Sequence, residues 1–269
     1  MEQKKFVLMG CGFLGGIVAQ AYADGLLPGY QLAGAASRHW QAAQNIAHLT
    51  GCRACQNLQE LLALEPDCLV ETASVQCVRD IALPALAAGV DLVVLSIGAF
   101  ADPAFLEQVR QASERHGARV HLASGAIGGV DILQALALMA QAQGIRAKVA
   151  VHTRKNADSL LQTSLADSVL HSRENASSFE VFSGSAGQAI QALPANMNVA
   201  VAAALAATGP SRTPVHIAAQ KDFVGDEHHI SAQAGEVEAD LRVYSSTSAV
   251  AGWSVVALLR NLSSPIAFF

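Results

Sequence analysis

Gly10-x-Gly12-x-x-Gly15 follows a short apolar run, Phe6-Val7-Leu8-Met9, and opens a stretch that reads as a helix over residues 13–24. Each glycine in such a pattern answers a physical need. The first permits a tight turn, the second lets the backbone approach a pyrophosphate, and the third lets the helix pack on the strand. The helix N-terminus then stabilises the phosphate charge. The motif means little alone. Here it stands between a strand and a helix with further strand–helix units behind it, which is the context it requires. Gly10, Gly12, Phe13, Leu14 and Gly15 are therefore expected to hold a dinucleotide. The plainer alternative is a tight strand-to-helix turn with no ligand.

The acidic residue that usually bonds the adenosine ribose should lie about 20 residues past the glycines, at the end of the second strand. That stretch reads Ala35-Ala36-Ser37-Arg38 and contains no carboxylate. A hydroxyl and a guanidinium are a pair that accepts a 2′-phosphate. NADP is accordingly expected beside NAD. The alternative for Arg38 is a solvated residue at a helix start.

Of nine histidines, two stand out in Lys221-Asp222-Phe-Val-Gly-Asp226-Glu227-His228-His229-Ile230. An imidazole among carboxylates is a candidate general acid/base, because such neighbours move its pKa within the working range. A strand-edge histidine near acids with only a structural role is the competing reading.

These residues need a scaffold. Over residues 5–123, strands at 6–9, 32–36, 68–71, 91–96 and 119–123 alternate with helices at 13–24, 39–49, 58–64, 75–89 and 103–116. That alternation predicts an α/β fold, a Rossmann-type doubly wound parallel sheet. The pattern then changes. Helices at 130–143 and 198–208 accompany strands at 145–154, 179–182, 215–219, 228–233 and 237–244, which predicts an α+β substrate and dimerisation domain. The expected division is 1–123 for the dinucleotide-binding domain and 124–245 for the second. The last helix, 248–261, lies in a segment (246–269) that could return to the first. Residues 171–178 are the most polar stretch and read as a surface loop.

The motifs together resemble the L-aspartate dehydrogenase family. Gly-Cys-Gly-Phe-Leu-Gly at 10–15, Val-Glu-Thr-Ala-Ser at 70–74 and Ser-Ile-Gly-Ala-Phe-Ala-Asp at 96–102 carry the resemblance. So do Ser-Gly-Ala-Ile-Gly-Gly-Val-Asp at 124–131, Thr-Arg-Lys at 153–155 and Leu-Pro-Ala-Asn-Met-Asn-Val-Ala at 193–200. The resemblance implies NAD- or NADP-dependent oxidation of L-aspartate to iminoaspartate. That product hydrolyses to oxaloacetate and ammonia or feeds NAD biosynthesis, and the reverse amination is equally implied. It places Ala126, Asn196 and Asn198 at the nicotinamide end of the cofactor and makes His228 the catalytic histidine. Three departures are plain. The loop from Asp222 to His228 is shorter than the family pattern. Asp226 stands where the family has Asn. Tyr244-Ser245-Ser246-Thr247-Ser248 stands where it has Asn-Pro-Lys-Thr-Ser. A dicarboxylate needs cationic or donor-rich partners, and Arg154, Lys155, Thr247 and Ser248 are the candidates. The alternatives are a related amino- or hydroxy-acid dehydrogenase with another substrate, and a catalytically silent nucleotide-binding sensor.

Composition narrows the remaining classes. The chain has 269 residues, 52% of them in the hydrophobic class and 14% charged, so disorder and rod-like helices are excluded. A net charge of −5 argues against a general nucleic-acid binder. Five cysteines at irregular spacing make no disulfide framework. Cys52-x-x-Cys55 lacks the second Cys/His pair that a zinc site needs, so no metal is expected. The apolar run before Cys11 is too short for an export signal, and no run reaches transmembrane length. A cytoplasmic homodimer acting on a small molecule is the expectation.

Overall fold

The protein is described here by a computed structural model, which covers residues 3–172, 177–194 and 197–268. It divides into two compact units. One runs to Gly125 and resumes at Ala249; the other is Ala126–Ser248.

The first unit begins β1 (Lys4–Met9), α1 (Phe13–Ala23), β2 (Tyr30–Ala36), α2 (Trp40–Thr50), β3 (Arg53–Cys55) and α3 (Leu58–Leu62). It continues β4 (Cys68–Glu71), α4 (Val75–Ala87), β5 (Asp91–Val94), a 3-10 turn at Ile97–Ala101, α5 (Pro103–His116) and β6 (Val120–Leu122). The six strands form one sheet in the order β3-β2-β1-β4-β5-β6, and all the pairings are parallel. This is the doubly wound order whose crossovers cover both faces. It explains why the strands read as continuous apolar runs rather than alternating ones. Phe6, Val7, Leu8, Leu69, Val70, Leu92 and Val93 are fully buried. β3 is the strand that periodicity misses: its three residues are too few to show a pattern.

The second unit contains α6 (Val130–Ala142), β7 (Lys148–Asn156), α7 (Ala157–Leu160), α8 (Ala166–Ser172), β8 (Ser178–Ser185), α9 (Ala186–Ala192) and α10 (Asn198–Ala206). β9 (Pro214–Gln220), β10 (Asp226–Ala234) and β11 (Val237–Ser245) complete it. The sheet order is β11-β10-β7-β9-β8, parallel only between β7 and β9. One face is covered, with α6 against β10 and α10 against β7. Burial alternates accordingly along β7: Val149, Val151, Thr153 and Lys155 are buried, while Lys148, His152 and Arg154 are not. The sequence reading contains none of α7, α8 and α9, which are short; Asn156 caps α7, and the Ser185–Gln188 capping box caps α9. Of the loop read at 171–178, His171 and Ser172 end α8 and Ser178 begins β8, while residues 173–176 lie outside the described residues.

The last helix, α11 (Ala249–Ser263), belongs to the first unit. It packs on α1, and its Val255, Val256 and Leu259 join the buried cluster around Phe6, Leu8 and Val18. A Cβ on Gly252 would stand 2.9 Å from Ile17 Cδ1, so the small residue sets the approach of the two helices.

Candidate active site

The glycine loop in the first unit is clamped at its root. Gly10 has φ +110°, a conformation that L side chains rarely adopt. Its N–H donates to Ala36 O at 2.9 Å, and Thr72 Oγ1 donates to Gly10 O at 2.8 Å. The loop is thus tied to the C-terminal ends of β2 and β4. A Cβ on Gly15 would lie 1.9 Å from Gly10 O, whereas one on Gly12 meets nothing within 4 Å. Two of the three glycines are therefore required by the protein's own packing, and the third borders open space. Gly12 is also the N-cap of α1 and offers no side-chain cap; the first turn carries no acidic residue. Free backbone N–H groups at an uncapped helix start, facing open space, fit a diphosphate. Phe13 is 62% exposed beside that space, while Leu14 turns inward and packs on the core.

Ser37 and Arg38 follow directly on β2. Ser37 Oγ accepts from His39 N at 3.4 Å. Arg38 is exposed, and among the described residues it makes no hydrogen bond or ion pair; its charge is felt by the Cys77 thiol at the start of α4. Burial, reinforced by Glu71 and Asp80, pushes that thiol up to about 12. All five cysteines are free. Among the described residues no group of three or more His, Cys, Asp or Glu is arranged to hold a metal ion, and no helix is long and apolar enough to cross a membrane.

In the second unit, Thr153 and Lys155 of β7 pair in register with His228 and Asp226 of β10. Steps of two along each strand put all four on the covered face. Thr153 Oγ1 and His228 Nδ1 are 3.0 Å apart, and Lys155 Nζ donates to Asp226 Oδ2 at 2.6 Å. Burial lowers the His228 pKa to about 4. The Lys155 ammonium adds to that shift, and Asp226 and Glu227 oppose it. The imidazole is therefore neutral at pH 7, held through Nδ1, with Nε2 left for proton exchange.

This shift has a consequence for stability. The unfolded chain takes up a proton on His228 as the pH falls through the ordinary value of 6.5, and the folded chain only near 4. The stabilisation is thus fully present above pH 6.5 and is lost as the pH falls towards 4. Between about pH 7.5 and about pH 5 the loss from this group is about 2 kcal/mol. Urea unfolding at the two pH values checks it: His228→Gln, which keeps a partner for Thr153, should lose that much less than wild type. Equal losses would exclude the buried neutral imidazole.

The neighbours of these residues sort by face. Arg154 points away from Lys155. It donates to Glu227 at 2.8 Å and to Gln220 at 3.0 Å, and lies 4.5 Å over the Phe223 ring. Glu227 also accepts from Arg242 at 2.8 Å. Arg154 is thus engaged in a network on the open face, and only Lys155 shares a face with His228. His229 is on the open face too, 2.7 Å from Asp240 and beside the His152 ring. Thr247 and Ser248 are exposed in the turn after β11. Ser245, which pairs with Asp226, places that turn at the Lys155 end of the sheet. Ala126 is half-buried just after Gly125, and Asn198 is the half-buried first residue of α10. Asn196 lies outside the described residues.

Two residues of this cluster are absent from the sequence-derived site: Thr153, and Asp226 as a direct partner of Lys155. The pairs Thr-x-Lys and Asp-x-His are visible in the chain, but their juxtaposition depends on a strand register that no turn motif fixes. A cleft of about 1570 Å³ in this unit, lined by Leu138, Arg146, Lys148, Arg212 and Gln233 among others, shares no residue with the cluster.

Known proteins match this chain over most of its length. Residues 131–262 match the family model for the aspartate dehydrogenase C-terminal domain. Residues 10–123 match that for the NAD-binding domain of homoserine dehydrogenase. The chain is 35% identical over 215 residues to the L-aspartate dehydrogenase of Archaeoglobus fulgidus, covering 77% of this chain and 80% of that protein. It is 27% identical to that of Methanocaldococcus jannaschii over 97% of this chain and 98% of the relative. The crystal structure of Thermotoga maritima aspartate dehydrogenase shares the fold over the whole of both chains, with a TM-score of 0.77 at 24% identity.

Proposed function

The chain belongs to the aspartate dehydrogenase family, and from that premise we infer that it oxidises L-aspartate with NAD or NADP. The observation that carries the reading is the 35% identity to an L-aspartate dehydrogenase over 77% of the chain. The geometry of both units is compatible with it. When bound, the cofactor supplies the hydride acceptor. Gly10, Gly12 and Gly15 at the α1 N-terminus would hold its diphosphate. Phe13 would border it, Leu14 would brace the loop from the core, and Ser37 and Arg38 would take the adenosine end. Ala126, Asn198 and Asn196 are proposed for the nicotinamide end. His228, neutral and fixed by Thr153, is the group proposed to take the proton that the substrate's amine must release. Lys155, with Thr247 and Ser248 at the same end of the sheet, is proposed for the substrate carboxylates. Arg154 is proposed to act at a distance, by fixing Glu227 and the Phe223 loop.

The product class is the imine, iminoaspartate, which hydrolyses to oxaloacetate and ammonia; we propose that it supplies NAD biosynthesis. We further propose a cytoplasmic homodimer, a state that size-exclusion chromatography with light scattering tests directly. The five free thiols support a reducing compartment.

The deciding experiment is an absorbance assay of reduced cofactor with L-aspartate, L-homoserine and L-alanine. Turnover of L-aspartate above the other two is expected, and cofactor binding without turnover of any of them would overturn the reading. The same assay tests cofactor choice. With Arg38 exposed and no carboxylate at 35–38, NADP should serve at least as well as NAD. The double change Ser37→Asp/Arg38→Ala should turn the preference towards NAD by about tenfold or more, because a carboxylate repels a 2′-phosphate and bonds a ribose hydroxyl. A wild type that strongly prefers NAD would show that Arg38 is only solvated.

A further inference from the structure

In the cluster on β7 and β10, three members are closed off and one is not. Lys155 and Asp226 differ sharply in side-chain exposure, 4% against 44%. His228 and Thr153 are as deeply buried as Lys155. A molecule arriving from solvent therefore meets a carboxylate first, with the lysine behind it. Lys155 Nζ occupies Asp226 Oδ2 at 2.6 Å. Among the described residues Oδ1 has no hydrogen-bond partner, although a carboxylate has about four lone-pair sites. Asp226 and His228 are two positions apart on one face of a strand, a span of about 7 Å. A small cation bonded to Oδ1 would thus sit within reach of the imidazole.

We propose that Asp226 recognises the ammonium group of the substrate and makes this site select amino acids over hydroxy acids and simple dicarboxylates. The proposal rests on the reading of the chain as an L-aspartate dehydrogenase and adds to it the residue that reads the amine. An amino acid arrives as an ammonium ion, and its complement is an exposed anion. Lys155 serves the same arrangement by orienting Asp226 through its bond to Oδ2. The lysine becomes the nearest cation for a carboxylate of that substrate once the ammonium has engaged Oδ1. Asp226 in a purely structural role, as a counter-ion for a buried lysine, would affect stability but not the discrimination between an ammonium and its absence.

The experiment compares wild type, Asp226→Asn and Asp226→Glu, with the KM of L-aspartate and the inhibition constants of succinate and L-malate measured at saturating cofactor. Asp226→Asn should raise the KM of L-aspartate about 10- to 100-fold, the usual weight of a lost charge-assisted hydrogen bond. Inhibition by succinate and malate should stay the same or tighten, since neither has an ammonium and Lys155 is released. Asp226→Glu should restore most of the L-aspartate KM. An unchanged L-aspartate KM, or a KM and inhibition constants that rise together, overturns the proposal. If Asp226→Asn fails to fold, wild type alone decides: succinate binding as tightly as L-aspartate overturns the proposal, and binding about tenfold weaker or worse supports it. Wild type that oxidises no L-aspartate overturns the enzymatic reading itself and this inference with it. Normal turnover with an unmoved KM in the variant overturns only the role of Asp226.

Discussion

Gly12→Val is expected to remove NAD(P) binding from a protein that still folds. The two halves of that statement have separate causes. Gly12 has φ −79° and ψ −160°, which any residue adopts, and a Cβ placed there touches nothing within 4 Å. The substitution therefore costs the fold little. The open space it fills is the space in front of the α1 N-terminus, where a diphosphate would need to approach the backbone. A branched side chain there should weaken binding by more than about 100-fold, or about 3 kcal/mol. Fluorescence titration of the reduced cofactor reads the affinity, and thermal melting reads the fold. Gly10 and Gly15 make poorer tests, because a Cβ at Gly10 would collide with Thr72 and Ala73 after β4, and one at Gly15 with Gly10 O, which damages the structure before any ligand arrives. A folded Gly12→Val with near-normal affinity would remove the loop from the cofactor site.

The first unit was largely legible because its signals are local. A strand, a glycine turn and a helix follow one another in the chain, and each apolar run fills a strand buried on both faces. What escaped there was β3, three residues long. In the second unit the strands were legible, and His228 and Lys155 stood among the candidates, but the faces that the candidates occupy were not legible. Arg154 and Lys155 are neighbours in the chain and look equally suited to an anion, yet the pleat sends them to opposite faces, one to Glu227 and the other to Asp226. His228 and His229 split in the same way. The period of two foretells such a split but does not say which member is buried. That depends on which face the helices α6 and α10 cover and on the β7–β10 register, both long-range facts. The role of Thr153 was hidden for the same reason, since its partner lies 75 residues away.

The split between the two histidines makes the second large effect a controlled one. His228→Ala is expected to lower kcat by about 10²–10⁴, the usual loss when a general acid/base is removed, while cofactor affinity in the first unit survives. The imidazole is 4% exposed, neutral because burial and Lys155 disfavour its cation, and fixed through Nδ1 by Thr153. A neutral ring so held can accept a proton at Nε2 without first losing one, which is what the release of an amine proton requires. The alanine also leaves Thr153 without its partner, so His228→Gln belongs beside it. Gln restores a hydrogen bond but cannot take a proton, and kcat should stay low in a protein of restored stability. His229 supplies the control. It carries the same ring one residue on, but on the open face, bonded to Asp240 and set against His152. His229→Ala should keep kcat within about threefold, because a substitution on the other face removes nothing the reaction uses. An inactive His229→Ala beside an active His228→Ala would place the chemistry on the open face and reverse the assignment. Full activity in both variants would leave Lys155 and its partner Asp226 as the remaining titratable pair of the cluster on the covered face. The pH profile of Lys155→Met would then be the decisive measurement.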